Sequence, residues 1–246
     1  MAISVCFVFL ITLLPSFFFG QIDFSSLTLL HLIIFIVVVL LALSHNLLYY
    51  YSLCAEAVCD VEPFALMQYP FAIFLAFAIF PSERNIAVLV ITLIASLALI
   101  ISRIEKHHLN INKYFFAMLG FALLTSIEGV FIKILLEVFS PIALYSLRIG
   151  FLSLLLFVFM RPNFKKVGKK NNILIFGSAF LTVVNFVFYY YAISNIGIIK
   201  SSLIMILAPV MVLILSRLML KENLTLKKAM ADTVIVSCAI VAVFIG

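Results

Sequence analysis

Long, uninterrupted apolar runs leave this chain few ways to fold. Stretch after stretch, such as 27–51 and 114–136, exceeds the ~18 apolar residues that mark a membrane-spanning segment. Only 11% of the residues are charged, 66% are hydrophobic, and mean hydropathy is +1.33. In hydrocarbon every backbone N–H and C=O must be satisfied within the protein, so spans are helices or closed barrels. Barrel strands alternate apolar and polar residues over ~10-residue segments. These runs do not alternate, so the chain reads as an all-α polytopic membrane protein. About nine spans are expected, near 2–19, 27–51, 62–80, 86–102, 114–136, 141–160, 171–193, 198–219 and 228–246. The first lacks a basic leading region and a small-residue cleavage site, so it reads as a retained span rather than a signal peptide.

Basic residues concentrate in three links. The links at 102–113, 161–170 and 221–228 hold Arg103, Lys106, Lys113, Arg161, Lys165, Lys166, Lys169, Lys170, Lys221, Lys227 and Lys228. The opposite links hold Arg84 and Lys200. By the positive-inside rule the three links are cytoplasmic, Met1 is inside and the C-terminus outside. The net charge of +6 therefore orients helices and does not point to nucleic acid. Cys54 and Cys59 lie near Glu56, Asp60 and Glu62, but the spacing is not a zinc signature and no histidine is near in sequence, so no metal is expected.

The chain also contains one unit twice. Asn46, Tyr50, Tyr51, Pro70 and Glu83 reappear as Asn185, Tyr189, Tyr190, Pro209 and Glu222, all at an offset of 139 with no gap (185 − 46 = 222 − 83). A fixed long period marks two copies of one structural unit. Helix counting puts Glu83 outside and Glu222 inside, so the copies have inverted topology, as in many secondary transporters. The expected organisation is a first repeat at 1–102, a basic linker at 103–113 and a second repeat at 114–246. The second repeat has five spans and the first has four. The counterpart of the span starting at 114 would fall before Met1, which suggests either a reading frame begun late or a nine-helix variant.

Polar groups inside apolar runs are the candidate site. Asn46 and Tyr50 share a helix face, as do Asn185 and Tyr189, and an inverted pair would present them to a central cavity from opposite sides. The alternative is that they glue helices together, with tyrosines at the interface. Pro70 and Pro209 each free the carbonyl four residues back and would kink their helices, with Gln68 a one-sided polar neighbour of the first. Glu128, Lys133 and Arg148 are ionisable groups at membrane depth, which are functional candidates by default. Burial disfavours the charged form of Glu128, which suits it to exchange protons. Lys133 and Arg148 suit an anionic substrate group, against local pairing of Lys133 with Glu137 and snorkelling of Arg148. Of the histidines, His31 and His45 read as packed and hydrogen-bonded groups, although either could titrate.

These stretches carry a resemblance. SIEGVFIKILLEVFSPIALYSLR (126–148) and IIKSSLIMILAPVMVLILSRLMLKENLT (198–225) resemble the EamA-type proteins of the drug/metabolite transporter superfamily, with Pro70 and Glu83 matching in the first half. The resemblance implies fused inverted helical halves working by alternating access, a small-molecule substrate and no cofactor. It also implies export of amino acids or similar metabolites, from a prokaryotic plasma membrane. In that reading Glu83, Glu222, Pro70 and Pro209 are markers of helix ends and kinks. The competing expectations are a non-transporting accessory or assembly subunit, an inactive truncated carrier, and an intramembrane enzyme. No H-E-x-x-H, G-x-S-x-G or nucleotide-binding loop supports an enzyme or an ATP-driven pump.

Overall fold

The structure is a computed structural model that describes residues 2–53, 64–103, 113–160, 169–220 and 226–245. The described residues are helical but for short turns. The helices are α1 (Ala2–Phe19), α2 (Leu29–Leu53), α3 (Gln68–Ile79), α4 (Ile86–Arg103), α5 (Lys113–Leu135) and α6 (Pro141–Met160), then Lys169–Leu220 and α9 (Leu226–Ile245). Lys169–Leu220 is two helices, α7 (169–196) and α8 (198–220), broken at Gly197 with φ +85° and ψ 175°. Among the described residues five helices are long and apolar enough to cross a membrane, and shorter apolar helices occur at Gln68–Ile79, Ile86–Ile101 and Thr233–Ala242. Large apolar side chains stand outward on these helices, Phe159 and Phe188 among them, as a lipid-facing surface requires. The protein is an all-α, multi-pass membrane protein.

Helix starts keep the sequence offset. Adding 139 to the first residues of α1, α2 and α4 gives 141, 168 and 225, and α6, α7 and α9 begin at 141, 169 and 226. The helices that pack most extensively are such equivalents: α1 lies on α6, and α4 on α9. The compact units of the chain, however, are not its sequence halves. One comprises 1–43 and 131–195, the other 44–130 and 196–246.

In the first unit a ring packs on bare backbone where α1 meets α6. A Cβ on Gly150 would lie 2.7 Å from the Phe9 ring. Nearby, Cys6 Sγ and Ser153 Oγ are 3.2 Å apart. The turn after α1 is tied to the turn before α6 by mutual hydrogen bonds. Ser140 N–H donates to the Gln21 carbonyl and Asp23 N–H to that of Val138, each at 2.9 Å. Asp23 also accepts from Ser25 and Ser26, and these bonds hold its carboxyl below the usual 3.8. A depressed folded value means that this contribution is present at neutral pH and fades as pH falls below the ordinary aspartate range.

The second unit is built around α4, α8 and α9, whose Leu99, Ile206 and Ile235 are buried in one apolar cluster with Leu66. Helix ends leave backbone groups that need partners. Three consecutive residues supply them. The Glu83 carboxylate accepts the N–H groups of Ile198 (2.9 Å) and Ile199 (2.8 Å) at the start of α8. Arg84 donates to the carbonyls of Phe77 and Ala78 at the end of α3. Asn85 Oδ1 accepts from Ala87 and Val88 at the start of α4. The charges match the helix dipoles: the anion meets an N-terminus and the cation a C-terminus.

Upstream of Pro70 the backbone departs from regular helix. The helical turn at Phe64–Ala65 gives way to a turn at Leu66–Met67, and regular helix resumes at Gln68. Pro70 has no N–H to give the Leu66 carbonyl, which accepts instead from Tyr69 N–H at 3.1 Å. Among the described residues, the regular helix of this stretch runs Gln68–Ile79. Pro209 lies within the helical backbone of α8, while Glu222 falls outside the described residues.

Gly197 and Glu83 act as one joint, because a Cβ at Gly197 would come within 2.7 Å of the Glu83 carboxylate and would have to adopt a positive φ. Gly197→Ala is expected to cost about 1–3 kcal/mol, and Glu83→Ala about 1.5–3 kcal/mol for each charged hydrogen bond lost. Thermal unfolding in detergent is the measurement, with Ser82→Ala as the neutral control.

Candidate functional site

Among the described residues, the buried ionisable groups fall into two sets, one in each compact unit. In the second unit, His45 Nε2 lies 2.9 Å from Glu128 Oε2, and the two side chains are 10% and 3% exposed. The helix pattern explains how they meet. On α2, Val38, Ala42, His45, Tyr49 and Ser52 follow one another by four, three, four and three residues, the spacing of a single helix face. Within the second unit this face meets α5 in antiparallel register. His45 meets Glu128, the Tyr49 ring lies 5.2 Å from Phe121, and Ser52 Oγ donates to the Tyr114 carbonyl at 3.2 Å. Phe121 also sets its ring on edge against His45 at 5.7 Å. On the same helix, Ser126 Oγ lies 2.8 Å from the Gln68 carbonyl and 2.7 Å from that of Ala122, so its one proton holds α3 or its own turn.

In the first unit the buried cation is Arg148, 6% exposed in the middle of α6. One turn before it, Tyr145 stacks on Phe186 (5.8 Å, 12°) and meets Tyr190 edge-on at 5.4 Å. Lys133 is half-buried in the last turn of α5, where the helix dipole favours a cation. Glu137 lies beyond the end of that helix, in the turn that follows.

The two asparagine–tyrosine pairs are not equivalent. Asn46, Tyr50 and Tyr189 are half-buried, and so is Gln68, but Asn185 is exposed. The reason lies in which face each helix buries. The inward stripe of α7 is Ala179, Val183, Phe186, Tyr190 and Ile193, which leaves Asn185 off it. Shifted by the repeat offset, the α2 stripe falls on Gly177, Leu181, Val184, Phe188 and Tyr191 of α7, all exposed. Conversely, Leu40, Ser44, Leu47 and Tyr51 of α2, the equivalents of the first four α7 stripe residues, are exposed. The repeated helices thus turn opposite faces inward, and the expectation that both asparagines face the bundle interior does not hold for Asn185.

Sequence reasoning picked out Glu128 but not its partner, since 83 residues separate the two (128 − 45). Its signal was a histidine on the one face of α2 that also carries Ala42 and Ser52. His31, by contrast, caps a helix: its Nδ1 accepts the Thr28 N–H at 3.2 Å and lies 2.8 Å from the Thr28 hydroxyl. Among the described residues no cluster of His, Cys, Asp and Glu has the makings of a metal site. The cysteine pair Cys54 and Cys59 lies outside them.

The pair makes a double-mutant prediction. Glu128→Leu, which leaves the buried imidazole without its hydrogen-bond partner, is expected to cost about 1–3 kcal/mol, and His45→Leu combined with Glu128→Leu markedly less. Thermal unfolding of the two single variants and the double variant in one detergent checks this, and additive losses would contradict it.

A family model described as the EamA-like transporter family matches residues 112–245. Among solved structures, one described as "Crystal structure of protein" is similar over 99% of this chain and 86% of its own, with a TM-score of 0.76 and 14% identity, a likeness of fold. No curated protein matches the sequence.

Proposed function

Because the chain belongs to the EamA-like transporter family of the drug/metabolite transporter superfamily, we propose that it is a secondary exporter of small metabolites such as amino acids. The family match over 112–245 carries this reading. It implies a small-molecule substrate and a bilayer as surroundings. The protein would reside in the plasma membrane of a prokaryote, and its two inverted repeats, 1–102 and 114–246, would open in turn to each face.

The chemistry of the buried groups supports a division of labour. Arg148, with Lys133 as a second cation on α5, would hold an anionic substrate group such as a carboxylate, since guanidinium and ammonium are the donors that match it. Tyr50, Tyr189, Asn46 and Gln68 would supply neutral hydrogen bonds to the rest of the substrate. Glu128, 2% exposed, would exchange the coupling proton. Pro70 and Pro209 would let α3 and α8 bend as the halves move.

Proteoliposome flux of a panel of labelled amino acids and related metabolites, with and without a pH gradient, tests the proposal. At least one compound is expected to move faster with the gradient, and Glu128→Gln is expected to reduce its flux to the no-gradient level. Arg148→Gln is expected to raise KM for an anionic substrate by about tenfold or more, the loss of one charge-assisted hydrogen bond. Absence of flux for the whole panel in wild-type vesicles would assign the chain to a non-transporting membrane subunit instead.

A further inference from the structure

A carboxylate this deeply buried rarely acts by itself, and the residue facing it decides what it can do. His45 stands on the inward face of α2, 8% exposed, with Nε2 on Glu128 Oε2. The Phe121 ring lies against His45, and the Tyr49 ring against Phe121. The Thr125 hydroxyl, an i,i+3 neighbour of Glu128 on α5, is buried with no hydrogen-bond partner, a polar atom within one turn of the carboxylate.

The other titratable and charged groups of these helices are placed differently. On α5, Lys113 and Tyr114 are fourteen or more residues from Glu128, about 21 Å along the axis. Lys133 is five residues on, about 7.5 Å along the axis and turned about 140° around it. On α2 the phenols are Tyr49, Tyr50 and Tyr51. The described residues of the rest of the unit add Tyr69 on α3, Glu83 and Arg84 between α3 and α4, Arg103 at the end of α4, Lys200 and Arg217 on α8, and Lys227, Lys228, Asp232 and Cys238 on α9.

We propose that His45 is a second proton-handling residue and that it shares one exchangeable proton with Glu128. The pair, rather than the carboxyl alone, would then be the group that loads and unloads. Unloaded, the imidazole is neutral, its Nε2–H donates to the Glu128 carboxylate, and the pair carries one negative charge. Loading adds one proton from solvent at Nδ1 while the Nε2 proton passes to Glu128, so the pair becomes a neutral imidazole hydrogen-bonded to a neutral carboxylic acid. Unloading returns that proton to water. The neutral state suits a low-dielectric interior and the charged state does not, so loading and unloading change how well α2 and α5 tolerate each other's approach. The chain changes compact unit between residues 43 and 44 of α2 and between 130 and 131 of α5, within two residues of each partner. A charge change at the pair therefore acts where both helices leave the unit that holds it.

This inference rests on the transporter reading, and its test is independent of any substrate. Full-length protein in nanodiscs is titrated from pH 4 to pH 9 with two readouts. One is the infrared C=O band of the protonated carboxyl, identified by its loss in Glu128→Gln. The other is the ring ¹⁵N shift of His45, resolved among the four histidines by His31→Gln and His107→Gln/His108→Gln variants. The carboxyl and the imidazole are expected to respond in the same pH steps, as coupled sites do. His45→Gln is expected to move the carboxyl midpoint by one pH unit or more, about tenfold in proton affinity. Independent titration of the two groups, or an unmoved carboxyl midpoint in His45→Gln, would overturn the proposal. Should His45→Gln fail to fold, the wild-type spectra alone decide through the coincidence of the two titrations. Silent flux assays beside coupled titrations would remove the transporter reading and leave the shared proton standing.

Discussion

The constraint behind this architecture is that a helix end in an apolar setting cannot leave its backbone groups unpaired. Glu83, Arg84 and Asn85 satisfy it for three helices with three adjacent side chains. Each takes the end its charge suits: the carboxylate meets the N–H groups of α8, the guanidinium the last carbonyls of α3, and the neutral amide the first turn of α4. The break at Gly197 depends on this arrangement. Without the Glu83 carboxylate, the freed N–H groups of Ile198 and Ile199 would favour a continuous helix through 169–220.

The same physics explains which features were legible in the sequence. Helix positions were, because length and apolarity alone identify a spanning segment, and the starts of α1, α6 and α9 fall within two residues of their expected positions. The repeat was legible because prolines, glutamates and asparagines stand out against a nearly uniform apolar background. That uniformity hid the inward faces. When nearly every residue of α7 is apolar, no periodicity distinguishes Tyr190, which is buried, from Phe188, which faces outward. Glu83 was legible as a helix-end marker, while its role as a cap for a helix more than a hundred residues away was not. Tertiary partners such as His45 and Glu128 leave no spacing signal at all.

The burial of His45 with Glu128 has a counterpart in the first unit that is chemically opposite. There Arg148 is buried one turn from stacked tyrosine and phenylalanine rings, with Lys133 on the turn that ends α5. Among the described buried side chains, the carboxylate–imidazole pair thus belongs to one compact unit and the buried guanidinium to the other. A cation that keeps its charge at all physiological pH values is suited to holding an anion, and a titrating pair is suited to carrying a proton. The two tasks of a proton-linked carrier would then fall on separate bodies of the same chain.

The opposite inward faces of α2 and α7 have a consequence for how such a duplicated chain can change over time. Two copies of one ancestral helix begin under the same selection, residue for residue. Once one copy buries the positions that the other exposes, a substitution tolerated at Leu181 is not tolerated at Ala42, although the offset makes them equivalents. The copies stop being spare parts for each other: recombination between the two halves, harmless in a symmetric protein, would put a ring or a branched side chain where a small residue is required. Residues such as Pro70 and Glu83, tied to a helix break and a helix end rather than to a face, are what such divergence would leave as a readable trace.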